Sequence, residues 1–405
     1  MGQSRKTFRV AVRKFGPFES AIRKQWDAFA ASEGAGLTLE LEPLDLHPLY
    51  QTLFEEEGLR RGTWDIGFVN SDWFATCHES RALLDLAPLI ASNPPEDFPK
   101  GWAPNLLELQ RFGDEVLGLP YHDGPECMIY RKDLFESSGE QAAYRGRFGV
   151  PLTVPRSWQE LRQVARFFTR PEQGLWGTVF AAFPDGHNTV YDFCLQLWTR
   201  GGELFSPEGN LTLNTPAAIQ ALEYYRELIN DGLSVHPRSR ELDSVQSGMA
   251  FARGEVAMMI NWFGFAAMAE TIAESRVKGR VEVTTLPERP VSLSVYWILG
   301  VGSGSPHAEL AYRFLRHCIS RRMDKLLTLE GGIGCRISTW EDPEVNRTIP
   351  FYRRMSELHS AARELPRRSD WPRLAGIIDR LVLEVMDTAE PVPSLVARYQ
   401  RMAVG

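Results

Sequence analysis

The sequence predicts an α/β protein with a largely parallel sheet, and the first seventy residues carry that prediction. Phe8, Val10 and Val12 alternate with polar residues as a strand does, until Lys14-Phe15-Gly16-Pro17 breaks the run. Ala21, Ile22, Trp26, Phe29 and Ala30 then recur at helical spacing. Leu37, Leu39 and Leu41 alternate again, a helical stretch follows through Leu49, Leu53 and Phe54, and Asp65 to Val69 has the form of a short buried strand. A β-α-β-α-β order implies parallel strands with helices on their faces, and ligands in such sheets sit beyond the carboxyl ends of the strands. Two of those ends lead into Arg13-Lys14-Phe15-Gly16 and Asn70-Ser71-Asp72-Trp73.

The middle third is helical in pattern. Ser157-Trp158-Gln159-Glu160 has the form of a capping box, opening a helix with Leu161, Val164, Ala165 and Phe168 on one face. Thr215-Pro216 supplies an N-cap and a first-turn proline for a helix striped by Ile219, Leu222 and Tyr225 and closed by Asp231-Gly232. Val256 to Ile260 is an apolar strand ending at Asn261-Trp262-Phe263-Gly264. Strand patterns return from Val281 and are strongest over Tyr296 to Val301; Ser305-Pro306 is expected to cap the helix through Leu310, Ala311, Phe314, Leu315 and Cys318. A glycine turn at 331–334 precedes a helical tail containing Trp371. The pattern changes character near 120, 285 and 330, as expected for two lobes sharing the chain through several crossings.

Composition removes several classes of function. With 405 residues, two or three compact units fit at about 100–200 residues each. Lys and Arg total 45 against 52 Asp and Glu, a net charge of −7, so binding to nucleic acid through phosphate neutralisation is not expected. No apolar run reaches the roughly 18 residues of a membrane span. The start, Met1-Gly2-Gln3-Ser4-Arg5-Lys6, lacks the apolar core of a secretory leader. Either a cytosolic protein or a trimmed mature chain accounts for that. Cys77, Cys127, Cys194, Cys318 and Cys335 are scattered without ligand spacing, and the odd number leaves at least one thiol outside any intramolecular pair.

Signatures of catalysis are mostly missing. There is no H-E-x-x-H, no phosphate-loop lysine motif and no G-x-S-x-G. Gly300-Val301-Gly302-Ser303-Gly304 follows a strand, but Ser305 takes the place of the third glycine of a dinucleotide loop, so the segment is a turn. No metal and no cofactor is expected. Asp72, Asp123 and Glu126 could cap turns, act as an acid/base pair, or accept hydrogen bonds from adjacent hydroxyls. Eleven tryptophans are the compositional oddity. Core packing explains most of them, but Trp73, Trp262, Trp297 and Trp371 lie at strand ends or in polar segments. An indole beside a carboxylate or amide suits a ligand with a flat apolar face and a hydroxylated rim, as a pyranose has.

Several stretches together resemble the extracellular solute-binding proteins of ABC importers, the family that includes maltose- and oligosaccharide-binding proteins. They are 64–72, 118–121 continuing to 129–135, 251–261, and Gly201-Gly202 with the Asn214-Thr215-Pro216 helix start; 155–161 matches the family's entry into its second lobe. The resemblance implies a two-lobe periplasmic-binding-protein fold, each lobe a central sheet flanked by helices. It implies three crossovers near 121–126, 283–289 and 327–332, with 1–122 plus 286–328 forming one lobe and 123–285 plus 329–405 the other. Ligand would lie in the cleft and the lobes would close by hinge motion. Matching positions make Lys14, Asp72, Tyr191, Trp262 and Trp371 expected ligand contacts. Neighbouring positions add Phe15, Asn70, Trp73, Asp123, Glu126, Asn261, Trp297 and Arg336.

The function expected is capture of a mono- to oligosaccharide and its delivery to ABC permease subunits by a monomer, periplasmic or membrane-associated outside the cell. Carboxylates near aromatics would also serve a cation such as a polyamine. A glycosidase using two of the carboxylates is the remaining alternative.

Overall fold

The alternating residues Phe8, Val10 and Val12 form the centre of a strand, and all three are fully buried. The computed structural model describes residues 6–33 and 36–404; residues 1–5, on which the reading of the leader rests, lie outside the described residues. In chain order the strands are β1 (Thr7–Arg13), β2 (Thr38–Leu44), β3 (Ile66–Asn70), β4 (Arg111–Phe112), β5 (Glu115–Val116), β6 (Leu119–His122) and β7 (Glu126–Arg131). They continue as β8 (Trp176–Val179), β9 (Val256–Trp262), β10 (Val281–Thr284), β11 (Ser292–Ser294), β12 (Trp297–Val301) and β13 (Ala362–Glu364).

Two units divide the chain. The first takes in the chain to Gly124 with Val295–Arg347 and Leu365–Ser369. Its sheet has the order β2-β1-β3-β12-β6. β1 pairs in parallel with β2 and β3, whereas β12 runs antiparallel between β3 and β6. The helix Gly16–Glu33 turns Ala21, Ile22, Trp26 and Phe29 inward and packs on the helices Ala308–Cys318 and Arg321–Leu329. Trp26 stacks on Phe8 at 4.8 Å, and Phe314 meets both rings edge-on.

The second unit comprises Pro125–Ser294, Thr348–Glu364 and the chain from Asp370. Its sheet has the order β13-β11-β7-β9-β8, with β10 also on β7. The helices Asn188–Thr199, Pro216–Ile229, Trp371–Asp387 and Val392–Val404 pack together.

The compact units divide elsewhere than the expected lobes. Residues 286–294 belong with the second unit, because β11 pairs with β7 and β13. Residues 329–347 belong with the first. Buried Asp324 accepts the backbone N–H groups of Cys335 and Arg336 and the Thr339 hydroxyl, which ties that segment to its own helix. The chain therefore passes between units five times, at 124/125, 294/295, 347/348, 364/365 and 369/370.

Local signals hold in part. Ser157 caps its helix through Glu160 N–H, but the Glu160 carboxylate returns to the Arg156 N–H, one residue before the cap. Thr215 caps as expected through Ala218 N–H. Ser305 is not a cap: the helix opens at Ala308, and the Ser305 hydroxyl donates to buried Asp65 at 2.6 Å. The glycine run leaves β12 through a turn at 303–304, where a Cβ on Gly304 would stand 1.9 Å from the Arg60 carbonyl oxygen. All five cysteines are buried free thiols. Among the described residues no helix is long and apolar enough to cross a membrane.

Candidate functional site

In the first unit, sheet polarity gathers the expected residues at one end. β1, β3 and β6 are mutually parallel, so their carboxyl ends deliver Lys14 and Phe15, then Asn70 to Trp73, then His122 and Asp123 to the same edge. β12 runs the other way, so its first residue, Trp297, stands there too, opposite Asn70 on one side and His122 on the other. Trp297 is half-buried, and Trp73 meets it edge-on at 5.6 Å. Trp73 itself is buried against Tyr50 and Phe54. Phe68 lies 6.0 Å from Trp297 and 5.2 Å from Phe18, which in turn contacts Phe15 and His122.

The polar groups of this face are held by the backbone. Asn70 accepts the Asp72 N–H at 3.0 Å and so shapes the turn that carries Asp72. Ser71 and Tyr296 exchange hydrogen bonds, Ser71 N–H to the Tyr296 carbonyl and Tyr296 N–H to the Ser71 hydroxyl. Asp123 is fully buried. Lys14 is exposed, with its Nζ 3.7 Å from Asp45.

The second unit presents its own cluster. Glu126 opens β7 and stands directly across the antiparallel ladder from Trp262, which closes β9. Trp262 is half-buried and meets Tyr191 edge-on at 5.5 Å. The helix bearing Tyr191 is buried from Thr189 through Thr199, and it carries Asp192 into the same interior. Asp192 accepts the Tyr225 hydroxyl at 2.5 Å. Burial and the neighbouring Asp192 push the Glu126 carboxyl well above the usual carboxylate range, and burial pushes Asp192 up to about 7. Trp371 is buried as the first residue of the helix that packs on the Tyr191 helix.

Two expected ligand residues are committed to structure. Arg336 is 1% exposed, and its guanidinium donates to Asp97 at 2.6 Å and to the carbonyls of Glu96 and Ile319 at 3.0 Å. It also lies over Trp102 at 4.4 Å. This group clamps a loop of its own unit, a role that an isolated arginine in a polar segment does not reveal. Asn261 is buried; its amide donates to Ser244 and Ser247 and its oxygen accepts the Trp262 N–H, so it orients Trp262 from behind.

Sequence reasoning missed Phe18, Phe68, His122, Asp192 and Tyr225. The signal for Asp192 was available. A carboxylate inside the apolar run Val190–Trp198 is costly to bury unless something pairs with it. Among the described residues no group of His, Cys, Asp and Glu is arranged to hold a metal ion.

Residues 18–324 match the family described as bacterial extracellular solute-binding protein, and the chain belongs to that family. A Deinococcus radiodurans relative named a probable ABC transporter-binding protein is 22% identical over 85% of this chain and 80% of its own length. A Brucella abortus binding protein is 26% identical over 64% of this chain, which spans 57% of that relative. Among solved structures, maltose-bound MalE3 of T. maritima superposes with a TM-score of 0.85 at 20% identity, over 98% of this chain and 99% of that one. A solute-binding protein of Agrobacterium radiobacter in complex with ribitol also gives 0.85, at 22% identity over 98% of both chains. These likenesses establish the two-lobe α/β solute-binding fold.

Proposed function

We propose that this solute-binding protein captures a neutral carbohydrate, from a sugar alcohol or monosaccharide to an oligosaccharide, and delivers it to an ABC permease without chemical change. One arrangement supports the reading above the others. Trp262 is half-buried, propped edge-on by Tyr191, and faces a carboxyl group, Glu126, across one ladder step. A ring face covers C–H groups of a pyranose or polyol while the acid at its edge engages a hydroxyl. Trp297, braced by Trp73 and flanked by the Asp72 turn, repeats the combination in the first unit.

One carboxyl group also weighs against a polyamine. Burial holds the Glu126 carboxyl toward the protonated form, which offers a cation less charge and offers a hydroxyl both a donor and an acceptor. The solved neighbours that hold maltose and ribitol add support at the level of ligand class. The family's description places its members outside the cytoplasm, and we propose a monomeric periplasmic or surface-associated protein.

The test is a thermal-shift screen with maltose, ribitol, D-mannitol, α-D-tagatose, spermidine and a set of amino acids. A carbohydrate at a hundredfold excess over its Kd should add about 2.7 kcal/mol of stability. A shift with spermidine or an amino acid alone overturns the carbohydrate assignment. Steady release of cleaved products from oligosaccharides would overturn the binding-only role.

A further inference from the structure

We infer that His122 is a ligand residue of this protein: its neutral imidazole donates the Nε2 proton to an oxygen of the carbohydrate lying on Trp297. The inference deepens the carbohydrate reading and rests on it.

One residue sets the ring. Ile333, fully buried, donates its N–H to His122 Nδ1 at 2.9 Å and accepts the Asp123 N–H at 3.0 Å. A ring nitrogen that accepts carries no proton, so the single proton of this imidazole is on Nε2. Ile333 is itself held in place. The next two N–H groups along the chain, of Gly334 and Cys335, go to the Thr328 hydroxyl at 3.0 Å and to Asp324 at 2.9 Å. The backbone therefore chooses the tautomer before any solute arrives.

The position of the ring gives that proton a use. Asn70, Trp297 and His122 are partners across β3, β12 and β6, and directly opposite residues share a face of the sheet. With strands about 4.7–4.9 Å apart, Asn70 and His122 flank the indole at one strand spacing each. A run of rings joins the same face: Phe18 meets His122 at 4.6 Å and Phe68 at 5.2 Å, and Phe68 lies 6.0 Å from Trp297. The imidazole is part-exposed, and Nε2 is not one of the polar atoms sealed from solvent without a partner. Among the described residues no oxygen accepts its proton. The neighbouring Phe18 ring can supply only a weak N–H···π contact.

The polar groups at the same edge leave this role open. The Asp72 turn supplies a carboxylate acceptor at the end of β3, and Lys14 is drawn to Asp45 at 3.7 Å. A hydroxyl that gives its proton to a carboxylate keeps lone pairs for a donor, so an acceptor and a neutral N–H on one edge match a polyol. An uncharged donor adds no attraction for an anion.

Two measurements on the full chain test this. Nitrogen-15 NMR of the ligand-free protein should show His122 protonated on Nε2, the signal being assigned by its loss in His122→Asn. A ring protonated on Nδ1 overturns the donor role. The second measurement is calorimetric titration with maltose, ribitol, D-mannitol and α-D-tagatose, beside urea melts at about pH 8, where the unfolded imidazole is also neutral. The Asn oxygen reaches the place of Nδ1, but its amide stops short of Nε2. The Gln amide reaches the place of Nε2 but leaves Ile333 without its acceptor. His122→Asn should therefore weaken binding about three- to tenfold with a urea midpoint close to wild type. His122→Gln should bind within about twofold of wild type and unfold at lower urea. Wild-type affinity in the Asn variant, or equal weakening in both variants, overturns the donor role and leaves the carbohydrate reading standing. Failure of the wild type to bind any of the four overturns that reading and takes the donor role with it.

Discussion

Ile333 donates its backbone N–H to Nδ1 of His122 at 2.9 Å, and its carbonyl accepts the N–H of Asp123 at 3.0 Å. Because Nδ1 is the acceptor, the imidazole must be neutral with its proton on Nε2. The bond therefore fixes the tautomer at the carboxyl end of β6, directly across the ladder from Trp297.

Burial pushes the His122 imidazole down to about 4 from its ordinary 6.5. Between those values the unfolded chain binds the proton and the folded chain does not, so stability rises with pH across that window. The contribution is complete above about 6.5 and is lost as pH falls toward 4, up to about 3 kcal/mol. His122→Asn keeps an acceptor for Ile333 but cannot titrate. Urea midpoints between those pH values should climb more steeply for the wild type than for the variant. Raised carboxyls such as Glu126, Asp192 and Asp324 pull the other way, which is why the difference between the two proteins is the quantity to measure.

Asp324 organises the segment that supplies Ile333. Replacing it with Ala orphans the buried N–H groups of Cys335 and Arg336, each a loss of about 1–3 kcal/mol, and frees the Thr339 hydroxyl. Asp324→Ala should therefore unfold at clearly lower urea. Asp324→Asn should lose much less. Burial raises Asp324 to about 6, a contribution to stability present below the unfolded value and lost as pH rises through 6. The Asn variant should accordingly show less decline over that range.

Trp73 and Trp297 touch, but different outcomes are expected for them. Trp73→Ala empties a buried site against Tyr50 and Phe54, with an expected cost of about 3–5 kcal/mol in denaturant unfolding. Trp297→Ala removes a half-buried ring. It should reduce carbohydrate affinity about tenfold while costing less stability, as calorimetry beside urea melts will show.

Arg336 separates clamp from contact. Arg336→Met leaves the Glu96 and Ile319 carbonyls without this donor and Asp97 with Arg321 alone, and should cost about 2 kcal/mol. The folded fraction should bind the chosen carbohydrate with unchanged Kd. A large loss of affinity without loss of stability would return Arg336 to the ligand set.

Most of the first sheet was legible because its strands announce themselves: alternation at Phe8, Val10 and Val12, and an apolar run before Asn70. Those two features also placed Phe15, Asp72 and Trp73 at the right strand ends. The unit boundaries were less legible. β11 is a three-residue strand whose membership depends on its partners, and no local pattern reports that β7 receives it. Buried polar side chains were hardest. Arg336 and Asn261 look like ligand groups in one dimension, and only their partners show that they are spent on Asp97 and on Trp262. Asp192 was legible in principle, as a lone acid in an apolar helix, but its significance depends on Tyr225 and Glu126, far away in the chain.

The position of β12 matters beyond the proposed site. A fragment stopping at Gly124 would possess β1, β2, β3 and β6 but leave the slot between β3 and β6 vacant. During synthesis, then, the slot between β3 and β6 stays open until residues 297–301 have emerged, carrying Trp297 into place. Completion of this sheet and arrival of the indole proposed to face the sugar are the same late event.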